Sequence, residues 1–398
     1  MNARLQPDQK GTPGEVFGAF LKLGVTSFGG PIAHLGYFRD ELVTRRKWLS
    51  EQAYAELVAL CQFLPGPASS QVGFALGLAR AGPLGALAAW TAFTLPSAAL
   101  MLLLALVSGS IAGPVADAVF HGLKLVAVVI VAQAVWGMAQ TLTPDLRRMA
   151  IAALAGGIAV LAGGAFGQLS AMLFGAGAGL LFCRNLATTT ADGVPITLPR
   201  RTGLAYLALF AALLIGLPIS TAATGWRDAQ LFAIFYRAGA LVFGGGHVVL
   251  PLLRADLVPT WISDDRFLAA YGAAQALPGP LFAISAYLGA VAGNPATGAL
   301  LALVGIFLPG MLILVGVLPF WAGLRGNFRV RAAIAGVNAA VVGILALALY
   351  DPLWTSTVAS WRDIAVISIA FFAGLKWKLP PLAIVAGLVA VSVFMGFG

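Results

Sequence analysis

Twice along its 398 residues the chain breaks an apolar segment with the same four residues, Leu-Pro-Gly-Pro, first at 64–67 and again at 277–280. Proline has no amide proton for an interior helical turn, and glycine is free to take positive φ, so a regular helix does not run through either break. Bare backbone polar groups are too costly to leave in lipid. A membrane fold carrying such breaks must enclose them in protein or set them beside water.

Composition makes the membrane setting firm. Charged residues are 10% of the chain and hydrophobic ones 60%, against roughly 25% charged in a soluble protein. Apolar runs such as 84–107 and 382–398 approach the roughly 20 residues that cross a bilayer. The fold class expected is an all-α polytopic membrane protein, since the alternating segments of a β-barrel are absent. The N-terminal stretch 1–15 is polar and lacks the order of a cleavable signal, so insertion is expected to begin with later helices. Cys61 and Cys183 lie in or beside apolar segments, and no disulfide, metal site or cofactor is expected. The net charge of +9 reports topology and not nucleic-acid binding, because basic residues mark cytoplasmic loops and no RNA-binding motif is present.

The breaks belong to an internal repeat. Residues 20–43 align without gaps on 235–258, residues 48–67 on 261–280, and 85–98 on 298–311. Phe-Gly-Gly, Arg-x-acid-Leu-Val, Trp-x-Ser, Gln-x-Leu-Pro-Gly-Pro and Leu-Pro recur in one order. Three units are expected: a first module at 1–183, a polar cytoplasmic linker at 184–202, and 203–398, which holds a linker span and the second module.

Segments 14–37 and 52–80 are interrupted at Phe-Gly-Gly and Pro-Gly-Pro, and each arm of about 13 residues reaches only about 20 Å, short of a core about 30 Å thick. They are expected to be re-entrant hairpins, matched by 229–253 and 267–290. Full spans are expected near 84–108, 117–140, 148–162, 166–183, 203–222, 297–320, 332–350, 362–376 and 379–397. With the N-terminus cytoplasmic, 17 of the 24 Lys and Arg residues fall in inside loops, and five spans precede the second module's hairpins. The modules are therefore expected to be inverted copies.

Inverted-repeat transporters bring interrupted helices together near the midplane, where helix N-termini face anionic groups. In "LPGPASSQVG" the first arm is expected to end at Pro65, with Gly66 as the joint and Pro67 opening the next arm. Ser69, Ser70 and Gln71 then sit beside the free amides of residues 68–70, which suits a small oxyanion. The second copy keeps Pro278, Gly279 and Pro280 but replaces the donors with apolar residues, leaving Ser285 nearest; Gln62 and Gln275 match between copies. Gly29 with Gly30, and Gly244 with Gly245, mark the other two breaks. Lys22 and Arg237 occupy matched intramembrane positions, and they and Lys124 are candidate cations for an anion pathway. Arg39 with Glu41, and Arg254 with Asp256, are expected to form local ion pairs. His34 and His247 lie near the glycine breaks, and His121 has no histidine counterpart. Glu56 is expected to be satisfied by glutamine or backbone, and Trp48 and Trp261 to anchor the membrane interface ahead of serine caps.

Residues "SFGGPIAHLGYFRDELV", "RKWLS" and "LVALCQFLPGPASSQVGFALG" of the first half resemble the N-terminal module of the chromate ion transporter family. The second half resembles its partner module in "VFGGGHVVLPLLR" and "AQALPGPLFAISAYLG". The likeness is strong over about 20–110 and 235–320 and extends to the whole chain in layout. It implies the long two-module form, which exports chromate across the bacterial inner membrane and confers resistance. Chromate shares shape and charge with sulfate, so both are implied ligands; the lipid bilayer is the remaining partner, and a homodimer is left open. The residues alone reach "small oxyanion"; the resemblance supplies the species. Rival readings are a sulfate or other oxyanion uptake carrier or channel, a membrane enzyme, and a non-catalytic assembly subunit. The enzyme reading lacks paired carboxylates, a metal cluster or a dinucleotide fingerprint in the apolar segments.

Overall fold

The computed structural model describes residues 11–108, 113–183, 196 and 198–396, and every regular element among them is helical. The expected linker at 184–202 lies largely outside the described residues. In the first module α1 (Pro13–Thr26) and α2 (Gly30–Phe38) flank the Phe-Gly-Gly break, and a π turn at Arg39–Arg45 follows. Next come α3 (Glu51–Phe63) and α4 (Ala68–Ser108), either side of Pro-Gly-Pro, and then α5 (Pro114–Leu142), α6 (Leu146–Ala162) and α7 (Gly164–Phe182). The linker helix α8 (Arg200–Thr224) leads to α9 (Arg227–Leu241), α10 (Val249–Leu257), α11 (Asp264–Ala274), α12 (Ile284–Ala292) and α13 (Pro295–Val317). The short α14 (Trp321–Gly326), α15 (Phe328–Ala348), the single turn α16 (Thr355–Thr357), α17 (Trp361–Trp377) and α18 (Pro381–Met395) complete the chain.

Helix starts follow local chemistry. Thr12, Ser50, Asp145 and Asn294 accept backbone amides at the first turns of α1, α3, α6 and α13, which satisfies donors that the helix cannot. Prolines open α1, α5, α13 and α18, where a missing N–H costs nothing. Helix α4 is two helices, because Ala81 and Gly82 leave helical angles. A Cβ on Gly77 would lie 2.8 Å from the Ala89 methyl, so the arms 68–80 and 83–108 fold back on one another. The same turn separates α12 from α13, with Gly289 against Gly298. The expected hairpin at 52–80 and span at 84–108 are both present.

Among the described residues, five helices are long and apolar enough to cross a bilayer: Ala68–Ser108, Pro114–Leu142, Arg200–Thr224, Pro295–Leu324 and Phe328–Thr357. The remaining expected spans form α6, α7, α17 and α18, of 15 to 19 residues.

The two modules repeat the same helices but are not separate globules. Helix α5 packs on α17 and α18 of the second module, while α15 packs on α6 and α7 of the first. Glycine makes both exchanges close: Gly122 of α5 rests against Val389, and Gly336 of α15 against Gly175 and Gly179. Six helices, three from each module, thus form one bundle, and the hairpins pack with α8, α13 and residues 83–108 of α4. The first-module hairpins carry their own apolar core around Phe20, Phe38, Leu57 and Phe93, closed by Leu314 and Trp321. The second-module hairpins share a core with the six-helix bundle.

Candidate oxyanion site at the helix interruptions

The four breaks meet. Gly66 N–H donates to the Val242 carbonyl at 2.7 Å, and Gly279 N–H donates to the Ser27 carbonyl at 2.9 Å. Ser27 and Val242 are matched positions, each immediately before Phe-Gly-Gly. Each Pro-Gly-Pro joint is therefore tied to the glycine break of the other module, as a pseudo-two-fold relation requires. Positive φ at Gly29, Gly30, Gly66, Gly244, Gly245 and Gly279 lets the chain turn there.

Close approach explains the joints themselves. A Cβ on Gly66 would fall 2.9 Å from the Gly310 Cα, and one on Gly279 would fall 2.9 Å from Ser97 Oγ and 3.1 Å from the Phe93 carbonyl. Ser97 and Gly310 are again matched, both following the Leu-Pro that recurs in the sequence. Buried Gln71 crosses between modules: its Nε2 donates to the carbonyls of Pro65, at 2.9 Å, and of Gly310, at 2.8 Å. Pro31 lies against Gly246, beside Phe282, which brings the remaining arms into the same neighbourhood.

Donor supply differs between the copies. After Pro67 the chain enters α4 directly, leaving the amides of Ala68, Ser69 and Ser70 without an intrahelical acceptor. Ser69 Oγ lies 3.4 Å from His34 Nδ1, and the His34 ring stands edge-on to Phe93. Ser70 Oγ, His34 Nε2, Ser27 Oγ and Gln71 Oε1 are buried without protein partners. After Pro280 the chain takes a 3₁₀ turn, so the Ala283 amide is spent on the Pro280 carbonyl, and Ser285 Oγ donates to the Phe282 carbonyl. The second copy thus supplies architecture and the first supplies unspent hydrogen-bonding groups.

The cations stand apart from this cluster. Lys22 pairs with Glu41 at 2.9 Å, and Arg237 with Asp256 at 2.5 Å. Both residue pairs are matched between modules, so one ion pair closes the open end of each first hairpin. Arg45 and Arg46 also bind Glu41, and the Lys22 ammonium foremost holds that carboxyl below the usual carboxylate range. The expected pairs Arg39–Glu41 and Arg254–Asp256 are not formed. Arg39 instead reaches Glu51 and Arg254 reaches Asp264, each at the start of the next helix, because along a helix residues two apart point to different faces. Lys124 pairs with Asp265 at 2.8 Å, while its counterpart Asn338 has a buried Oδ1 beside Gly244.

Glu56 is buried and accepts from the Trp321 indole at 2.7 Å, a contact between modules that the sequence did not suggest. Trp48 is buried and bonds Glu15 under the Arg80 guanidinium, so it packs and does not anchor an interface. Ser50 caps α3, whereas Ser263 makes no side-chain cap. His247 Nδ1 lies 2.6 Å from the Tyr271 hydroxyl, and His121 pairs with Asp363 at 2.9 Å. Gln62 is exposed on α3, and Gln275 is half-buried with Nε2 unpartnered. Ser27, Val242, Ser97 and Gly310 were not singled out as site residues, although the repeated Phe-Gly-Gly and Leu-Pro strings adjoin all four.

Among the described residues no group of three metal-ligating side chains occurs. No solved structure matches the chain. The sequence is 29% identical over 395 residues to the chromate transport protein of Pseudomonas aeruginosa, covering 96% of this chain and 93% of that protein. It is 30% identical over 386 residues to the probable chromate transport protein of Synechococcus elongatus, covering 94% of each. A stretch about one module long is 33% identical over 177 residues to the uncharacterized transporter YwrB of Bacillus subtilis, covering 44% of this chain and 86% of that one. The chromate transporter family profile matches residues 14–182 and 229–394, one region in each half. This multi-pass helical membrane protein, built as two repeated modules, belongs to the chromate transporter family and is a transporter.

Proposed function

We propose that the chain exports chromate from the bacterial cytoplasm across the inner membrane and so confers chromate resistance. The observation that carries this reading is the reciprocal pair Gly66–Val242 and Gly279–Ser27, which gathers four interruptions around the α4 N-terminus. Backbone amides at a helix start favour anions, and Ser69, Ser70, Ser27 and His34 add neutral donors. A tetrahedral oxyanion fits such a donor set, and relatives named as chromate transport proteins supply its identity.

The modules are proposed as 1–183 and 203–398, joined by a cytoplasmic linker at 184–202 and inverted about an axis in the membrane plane, with the N-terminus cytoplasmic. Contacts between modules support the inverted arrangement, since each joins residues assigned to one side, while the cytoplasmic placement of the N-terminus rests on the distribution of Lys and Arg. His121 meets Asp363 and Lys124 meets Asp265 outside, and Glu56 meets Trp321 inside. Because α5 and α15 are exchanged between modules, the bodies that rock in alternating access are the hairpins and the six-helix bundle, not one module against the other.

Expelling a divalent anion from a negative interior gains about 2.3 kcal/mol per charge per 100 mV, hence about 4.6 kcal/mol, or about three decades of concentration. Membrane potential is thus a sufficient drive, with ion exchange as a further source. The test is flux in inverted vesicles under a clamped potential, with chromate, sulfate and molybdate as competing anions. Potential-dependent chromate accumulation supports export; sulfate flux that chromate neither joins nor inhibits would replace it with sulfate carriage.

A further inference from the structure

The repeat is close in sequence but unequal in packing. Helix α11 packs on α5 through Leu268 and Gly272, with Asp265, exposed at the helix start, reaching Lys124 of α5 and Gln275 half-buried just past the helix end. Leu268 is fully buried, and a Cβ on Gly272 would sit 1.9 Å from the Leu123 carbonyl. The matched face on α3 is Gln52, Ala55, Ala59 and Gln62, and all four residues are exposed. Helix α3 makes no comparable contact with α15, the counterpart of α5. The first hairpins repeat the inequality. Pro251 of α10 is buried and accepts from Gln168 of α7, while its match on α2, Gly36, is exposed with nothing near its Cβ position.

A helix face that meets lipid is normally apolar and bulky, and this one carries two glutamines and two alanines. Its spacing of three, four and three residues puts the four on one stripe. We propose that this stripe of α3 lines a water-filled cytoplasmic access path in the present conformation, and that it docks on α15 at Val337 when the path closes. The inference rests on the alternating-access reading above. In an inverted repeat, the conformation of one copy is the pattern for the other copy in the opposite state. Ala59 would take the place of Gly272, and Val337 that of Leu123. The match is imperfect in an informative way: Gly272 lets α11 approach α5 closely, whereas the Ala59 methyl holds α3 further from α15. The outer closure therefore packs tighter than the inner one, which biases the resting protein toward the cytoplasm-open form.

The test uses Ala59→Cys, Leu268→Cys and the pair Ala59→Cys with Val337→Cys in the full chain. Native Cys61 and Cys183 are buried, and labelling is read against the unsubstituted protein. A membrane-impermeant maleimide should label Ala59→Cys in inside-out vesicles and not in right-side-out ones, and should leave Leu268→Cys unlabelled. A short bis-methanethiosulfonate should join Ala59→Cys to Val337→Cys and stop chromate flux, with flux restored by reductant. Ala59→Trp, which needs no chemistry, should lose turnover while retaining chromate binding from the cytoplasmic side. Labelling of Ala59→Cys only by a lipid-soluble maleimide would place the stripe in the bilayer, and cross-linking between two copies through residue 59 would make it an interface; either result overturns the proposal. Labelling and cross-linking as expected, with no anion flux under any gradient, would leave the gate standing and remove the transport reading.

Discussion

Gly66 donates its amide to the carbonyl of Val242 across 2.7 Å, and so ties the proline break of one module to the glycine break of the other. Both Gly66 and its match Gly279 hold positive φ and have neighbours where a Cβ would go. Gly66→Ala and Gly279→Ala should each cost about 2–4 kcal/mol from strain and displacement. Gly137→Ala, on open helix surface, should be neutral or slightly stabilising. Thermal melting of the purified protein in detergent decides the comparison, and similar losses at all three positions would remove the special role of the joints.

Replacing Ser69 and Ser70 together by alanine should weaken anion affinity about 10- to 30-fold, at about 1 kcal/mol per lost hydrogen bond, with protein level intact. Ser285→Ala is the contrasting variant. Its hydroxyl is already given to the Phe282 carbonyl, so affinity should stay within about twofold. Equilibrium binding of chromate to purified protein reads both; equal effects would put the ligand near the second copy.

Lys22 and Arg237 are matched, yet their partners differ in redundancy. Glu41 keeps Arg45 and Arg46 when Lys22 is lost, whereas among the described residues Asp256 forms an ion pair with Arg237 alone. Arg237→Gln should therefore destabilise by about 1–3 kcal/mol, and Lys22→Gln by under about 1 kcal/mol. Arg237→Gln should also lower flux more than Arg227→Gln. Melting midpoints and vesicle flux on the three variants check the order.

The Glu41 carboxyl is held low chiefly by Lys22, so in the folded protein it binds a proton less readily than in the unfolded chain. Its ion pairs thus contribute fully above the ordinary carboxylate range, and the contribution disappears as pH falls through the lowered folded value. Melting temperature should fall on acidification across that window, and Glu41→Gln should flatten this limb while lowering stability at pH 7. An unchanged acid limb in Glu41→Gln would assign the pH response to other carboxylates.

Much of this was legible in the residues. Apolar runs, duplicated motifs and proline or glycine breaks specify helices, hairpins and a two-fold plan, because those signals are local: period, φ freedom and missing amide protons. Ion pairs were read less well, since the sequence brings Arg39 beside Glu41, while the fold sends Arg39 to Glu51 and Glu41 to Lys22. The exchange of α5 and α15 between modules left no local trace.

The order of elements, their membrane class and the positions of the breaks were settled by sequence alone, since each follows from what a short peptide does in lipid. Which break touches which, that Gln71 spans two modules, and that α11 is packed where α3 is bare were decided only by tertiary structure. Two nearly equal copies have nearly equal local preferences. Their difference arises in close packing, which sets α11 on α5 and leaves α3 off α15, and it depends on contacts far apart in the chain, such as Lys124 with Asp265 at a separation of 141 residues.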